Sequence, residues 1–180
     1  MAVNMKEMIA EAAVKLLTEK KTGKLTVKDI VEECQITRQA FYYHFADIPE
    51  LLQWVLERGA EQFMEAYRRQ TDAEEGLRDF FLLAMNASPY VKKGMESNYG
   101  EEIEQLLTRS FYQIFEMVAK TSGLYQECST YELQLILRYH SQAIMGLLRT
   151  WTEEDTKNLD QIVHTVYLLV MGGISPISQK

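Results

Sequence analysis

A chain of 180 residues, 47% hydrophobic and 25% charged, suits one large domain or a small domain joined to a larger one. Its formal net charge of −7 excludes a surface that holds nucleic acid non-specifically along its length, because counterion release needs a basic face. Cys34 and Cys128 lie far apart without metal-ligand spacing, so they read as small buried residues of a reducing compartment with no disulfide between them.

Nearly every segment predicts helix, about nine in all with no convincing strand, so the expected fold class is all-α. Residues 5–20 place Met8, Ile9, Ala12, Ala13, Leu16 and Leu17 on one apolar stripe, and Gly23 suits a left-handed stop. Thr26-x-x-Asp29 predicts a capping box opening the second helix, with Val27, Ile30 and Val31 inward. Thr37 can cap a third. Asp47-Ile-Pro-Glu50 opens a long amphipathic helix over about 48–69, with Pro49 tolerated in the first turn.

Asp72-x-x-Glu75 then predicts a helix to about residue 87. Residues 88–100 form the most broken segment, carrying Pro89, Gly94 and Gly100. A helix over about 101–120 stops at Gly123. Ser129-x-x-Glu132 opens one running to about 151, and Asn158-x-x-Gln161 opens the last, ending near Gly172-Gly173. No signal peptide is expected, since residues 5–20 are amphipathic and lack an unbroken apolar run. Residues 163–174 are apolar but too short to span a bilayer. A cytoplasmic protein with no membrane partner is expected.

The most informative stretch is 26–45, which predicts two short helices around a tight turn. Ile36, Ala40, Phe41 and Phe45 share one face of the second of these helices, and with Ile30 and Val31 they point inward, onto the long fourth helix. Thr37, Arg38, Gln39, Tyr42, Tyr43 and His44 fill the complement, and none is acidic. A donor-rich short helix of this kind suits a DNA major groove. Arg38 fits bidentate guanine recognition or a phosphate, and Gln39 fits adenine. Thr37 offers a hydroxyl to phosphate and a methyl to thymine. Tyr42, Tyr43, His44, Thr26 and Lys28 fit phosphate contacts. Charge agrees, because residues 1–45 carry +1 and the remainder −8.

These residues resemble the DNA-binding domain of the TetR family of bacterial transcription regulators, over roughly residues 5–58. The family pattern of a hydroxyl residue, a basic residue, two variable residues and Leu/Phe-Tyr-x-His/Tyr-Phe stands here as Thr37-Arg38-Gln39-Ala40-Phe41-Tyr42-Tyr43-His44-Phe45. Thr26-Val27-x-x-Ile30 matches the preceding helix start. The resemblance implies DNA contacts at Thr26, Lys28, Thr37, Arg38, Gln39, Tyr42, Tyr43 and His44. It also implies a DNA-binding domain over 1–47 and an effector-binding and dimerisation domain over 48–180. One departure is Gln35 in a turn where the family usually has Gly. If that turn needs positive φ, Gln costs roughly 1 kcal/mol.

In the C-terminal body, Ala143 and Gly146 permit close helix approach, and the helix over 162–171 is apolar on most sides. The expected consequence is a homodimer through a two-fold four-helix interface involving Ala143, Gly146, Leu147 and Trp151 with Val163, Val166, Tyr167 and Val170. The TetR resemblance implies the same interface. Paired recognition helices about 34 Å apart would then read a palindromic operator in double-stranded DNA. Arg38-Gln39-x-Phe41-Tyr42, Leu51-Leu52-x-Trp54 and Tyr139-His140-Ser141-x-Ala143-x-x-Gly146 are more loosely similar to the branch that includes regulators of dihydroxyacetone kinase.

The family resemblance further implies a pocket for a small-molecule effector, with the chain acting most often as a repressor. Candidate lining residues are Phe81, Met85, Met95, Phe111, Phe115, Tyr139 and Met145. Polar anchors are Tyr99, Tyr112 and His140, and the 88–100 segment is a candidate gate. No cofactor, metal or catalytic residue is expected. Asp160 and His164 stand i, i+4 without a third ligand, and Ser141 beside His140 lacks a nucleophile elbow. The alternatives are a helical adaptor that has lost DNA binding, or a small helical enzyme.

Overall fold

The computed structural model describes residues 4–19, 24–69 and 72–171. Among them are nine helices and no strand: α1 (Met5–Glu19), α2 (Val27–Cys34), α3 (Arg38–His44), α4 (Ile48–Tyr67), α5 (Ala73–Met95), α6 (Gly100–Thr121), α7 (Thr130–Arg149), α8 (Glu153–Lys157) and α9 (Leu159–Val170). Gly23 and Gly172-Gly173 lie outside the described residues. The chain forms two compact units, Met1–Glu61 with Ala87–Ser110, and Gln62–Asn86 with Phe111–Lys180. The boundaries between them fall inside α4, α5 and α6.

In the first unit the capping box is present. The Thr26 side chain accepts from the Asp29 N–H at 3.3 Å, and the Asp29 carboxylate accepts from the Thr26 N–H at 3.1 Å. Two backbone donors that helix geometry would leave unpaired are thereby satisfied. Gln35 follows α2 in the left-handed region at φ 56° and ψ 40°. Thr37 caps α3 by accepting from the Ala40 N–H at 3.1 Å.

Ile9, Ala13, Ile30, Phe41 and Leu51 are fully buried, and Phe45 nearly so. The Phe45 ring meets Phe41 at 6.1 Å and Trp54 of α4 edge-on at 6.0 Å. Burying each such side chain contributes about 1.5–3 kcal/mol, enough to hold helices of seven and eight residues that would not persist alone. Ile36, which precedes α3, and Ala40 are only half-covered, where the pattern places them inside.

α5 does not end near residue 87 but continues through Pro89 to Met95. Pro89 is exposed, so water can serve the carbonyl that loses its N–H partner, and the helix survives a penalty of about 3 kcal/mol. Gly94 is a place of close approach and not a break, since a Cβ there would come 2.9 Å from the Ile103 Cδ1 of α6. The interruption is confined to residues 96–99, after which a Cβ on Gly100 would collide with the Met95 carbonyl.

In the second unit Phe80 is the hub of an aromatic cluster. It stands edge-on to Phe63 at 5.5 Å, Phe81 at 5.9 Å and Phe111 at 5.4 Å. α7 opens on the expected Ser129–Glu132 capping box, and these hydrogen bonds hold the Glu132 carboxyl below its ordinary range. α8 has no counterpart among the expected elements. Thr152 and Asp155 form its capping box. Asn158 consequently does not cap α9; its side-chain amide donates to the Glu154 carbonyl and closes α8 instead.

Candidate nucleic-acid interface

α3 displays the donors that its sequence pattern assigns to one side. Arg38 and Gln39 are exposed, Tyr42 is 55% exposed and Tyr43 85%. His44 is half-buried with its ring edge-on to Tyr43 at 5.0 Å. Tyr42 is braced from beneath, because its ring stands perpendicular to the buried Phe41 at 5.4 Å. Thr37 accepts from the Ala40 N–H, which leaves its own hydroxyl proton free to donate.

The α2 side differs from a simple donor array. The Thr26 hydroxyl also donates to Asp29 at 2.5 Å, so its proton and a lone pair are both engaged in the cap. A phosphate could take that proton only by opening the box. Lys28 is exposed but faces Glu32 at 3.7 Å. Lys6 had no signal in the spacing of the sequence. Its ammonium lies 5.1 Å from the Phe45 ring centroid and adds a cation beside the end of α3. Cys34 donates its S–H to the Met8 carbonyl at 3.7 Å, and burial pushes its thiol pKa up. Both cysteines are free.

The candidate effector residues fall in both units. Phe81, Met85, Phe111, Tyr112, Phe115, His140 and Met145 belong to the second, whereas Met95 and Tyr99 belong to the first. Phe81 is fully buried, with the Trp151 ring tilted against it at 5.5 Å. Tyr139 is 68% exposed, so its ring faces solvent and not an interior. His140 is enclosed between Phe115 at 5.9 Å and Tyr125 at 6.4 Å, and burial lowers its pKa. Tyr125 itself was not a candidate. It holds φ 62°, an uncommon conformation for an aromatic residue. Its hydroxyl donates to the Val170 carbonyl at 2.5 Å, so its oxygen accepts from His140 Nε2 at 3.2 Å, which fixes the proton on that nitrogen.

The candidate dimer residues also divide. Ala143, Gly146 and Leu147 lie on the exposed side of α7, together with Tyr131, Leu135 and Tyr139. Val163 and Val166 are 2% and 8% exposed, covered by their own chain. α9 instead shows Leu169, and Trp151, Tyr167 and Val170 are half-buried. Asp160 and His164 turn to α5, where Arg78 pairs with Asp160 at 2.8 Å and Glu74 with His164 at 2.9 Å.

Among the described residues no helix is long and apolar enough to cross a membrane. Residues 9–55 match the model of the bacterial regulatory proteins, tetR family. No curated relative matches the sequence. The fold is similar to that of the dihydroxyacetone kinase operon activator DhaS, at 20% identity and TM-score 0.64, covering 96% of this chain and 97% of that one. It is similar to FadR from Bacillus subtilis in complex with stearoyl-CoA, at 19% identity and TM-score 0.55, over 94% and 99% of the two chains. It is also similar to the TetR family repressor AlkX from Dietzia sp. strain DQ12-45-1b, at 13% identity and TM-score 0.57, over 94% and 98%. The matched residues are those of α1, α2, α3 and the start of α4, which build and present the exposed donors of α3. Residues 9–55 therefore carry a helix-turn-helix of the kind found in the bacterial regulatory proteins, tetR family, and the whole chain shares the fold of solved regulators of that kind.

Proposed function

We propose that the chain acts as a homodimeric repressor on a palindromic operator, with a small-molecule ligand in the second unit controlling its affinity for DNA. The observation that carries this reading is the row of exposed donors on α3, fixed from below by Phe41 and Phe45. In this reading Arg38 and Gln39 reach base edges, and Thr37, Tyr42, Tyr43, His44 and Lys28 hold phosphates. Thr26 positions α2 through its cap.

The dimer face is the outer side of α7 with Leu169 of α9. Its support is Gly146, where a Cβ would meet nothing within 4 Å of the chain. Glycine within a helix costs about 0.5–1 kcal/mol relative to alanine, and the isolated chain gains no packing from it. A second helix lying against Gly146 and Ala143 explains the choice. Met85, Phe111, Tyr112, Phe115, His140 and Met145 are the pocket residues, and their aromatic and thioether groups favour a ligand with an apolar body. One similar fold is named an activator and another a repressor, so a promoter fusion with and without the chain decides the sign.

Selection from random duplexes tests the reading. Two-fold symmetric sites bound in a salt-dependent way are expected, with Arg38→Ala costing about 1–3 kcal/mol and relaxing preference at one base position. Absence of any symmetric preference would overturn it.

A further inference from the structure

The entry to the helix-turn-helix is held in part by a residue from outside it. Leu25, one residue before the Thr26 cap, is 2% exposed and anchors the chain as it enters α2. Its backbone groups precede the α2 ladder and need partners elsewhere. Asn98, from the turn between α5 and α6, supplies them. The Leu25 N–H donates to Asn98 Oδ1 at 3.0 Å, and Asn98 Nδ2 lies 3.5 Å from the Leu25 carbonyl. One side-chain amide thus pairs with both polar groups of one residue, as a neighbouring backbone would.

The turn that presents Asn98 is itself fixed. Ser97 Oγ donates to the Gly94 carbonyl at 2.6 Å and accepts from the Tyr99 N–H at 3.1 Å. Residues 87–110 belong to the same compact unit as the helix-turn-helix, so the clamp is internal to that unit. α2 and α3 have eight and seven residues, too few to hold their direction by local bonding.

We propose that Asn98 is a positioning residue for DNA binding: it fixes the start of α2, and through the α2 cap it fixes the pose of α3 on the duplex. The proposal rests on the reading of α3 as the DNA reader. Asn98 touches no DNA in this scheme, so its loss lowers affinity without removing a phosphate contact.

The test compares full-length wild type, Asn98→Ala, Asn98→Asp and Glu96→Ala, the last a control in the same turn. Amide exchange at Leu25 reports the clamp, and anisotropy titration of the selected operator reports function. Asn98→Ala should speed Leu25 exchange and weaken operator binding about fivefold, the scale of one lost hydrogen bond, with an unchanged salt slope. Asn98→Asp keeps the acceptor and should keep Leu25 exchange slow, and Glu96→Ala should change neither quantity. Unchanged Leu25 exchange in Asn98→Ala overturns the clamp. Faster exchange with unchanged operator affinity, or a steeper or shallower salt slope, overturns the positioning role. If wild type selects no site, the DNA reading fails before any variant is compared, and the proposal falls with it.

Discussion

The Lys28 ammonium lies 3.7 Å from the Glu32 carboxylate, one turn further along α2, and both side chains are about two-thirds exposed. An exposed pair of this kind contributes little, about 0–1 kcal/mol, so a phosphate can displace Glu32. On the proposed reading, in which Lys28 holds a phosphate, Glu32 competes with DNA for it. Glu32→Gln should tighten operator binding roughly threefold to tenfold at low salt, with the gain shrinking as salt rises. Titration at two ionic strengths measures it. The same gain in a Lys28→Ala background would mean that Glu32 acts by general repulsion and not through this pair.

Gln35 occupies the left-handed region at φ 56°, where a side chain is strained and glycine is not. Gln35→Gly should raise unfolding stability by about 1 kcal/mol, read from the midpoint of a denaturant titration. A loss of stability would place the cost elsewhere in the turn.

Gly146→Ala separates helix propensity from packing. The added methyl meets open space within the chain, so the monomer should gain about 0.5–1 kcal/mol. The same methyl should weaken self-association, measured by sedimentation equilibrium. Unchanged association would remove Gly146 from the dimer face.

His140 makes stability depend on pH. Burial lowers its pKa from the ordinary 6.5. Below that value the unfolded chain takes up a proton that the folded chain resists, so stability is full above it and falls as the pH drops towards the folded value. Melting temperature should decline on acidification from about pH 7.5 to pH 5.5, and less steeply in His140→Gln. Parallel profiles for the two proteins would assign the decline to other groups.

Much of the fold is legible in the sequence because its helices announce themselves by reciprocal caps. Thr26 with Asp29 and Ser129 with Glu132 each place two short-range partners at a fixed spacing, and no distant contact is needed to realise them. Thr152 with Asp155 carries the same signal, but α8 has only five residues and no apolar period to draw attention to it. Pro89 misleads because its penalty depends on whether water reaches the freed carbonyl, which is a tertiary fact. The α3 donors are legible as a pattern on one face. That the Thr26 hydroxyl proton goes to Asp29 and the Lys28 ammonium faces Glu32 is visible only once rotamers are placed. Asn98 is illegible in principle, since its partner lies 73 residues away and is a backbone. Val163 and Val166 have a composition that serves an interface and a core alike, and that they lie buried within their own chain is not legible from spacing.

The compact unit that holds α3 is discontinuous, made of Met1–Glu61 and Ala87–Ser110. A graft that moves only the leading segment onto a foreign body leaves Leu25 without its amide partner and discards the turn that supplies it. Portability of this reader therefore depends on a piece of chain that looks, in linear order, like part of the receiver. Chimeric regulators built from it should be cut so that both pieces travel together.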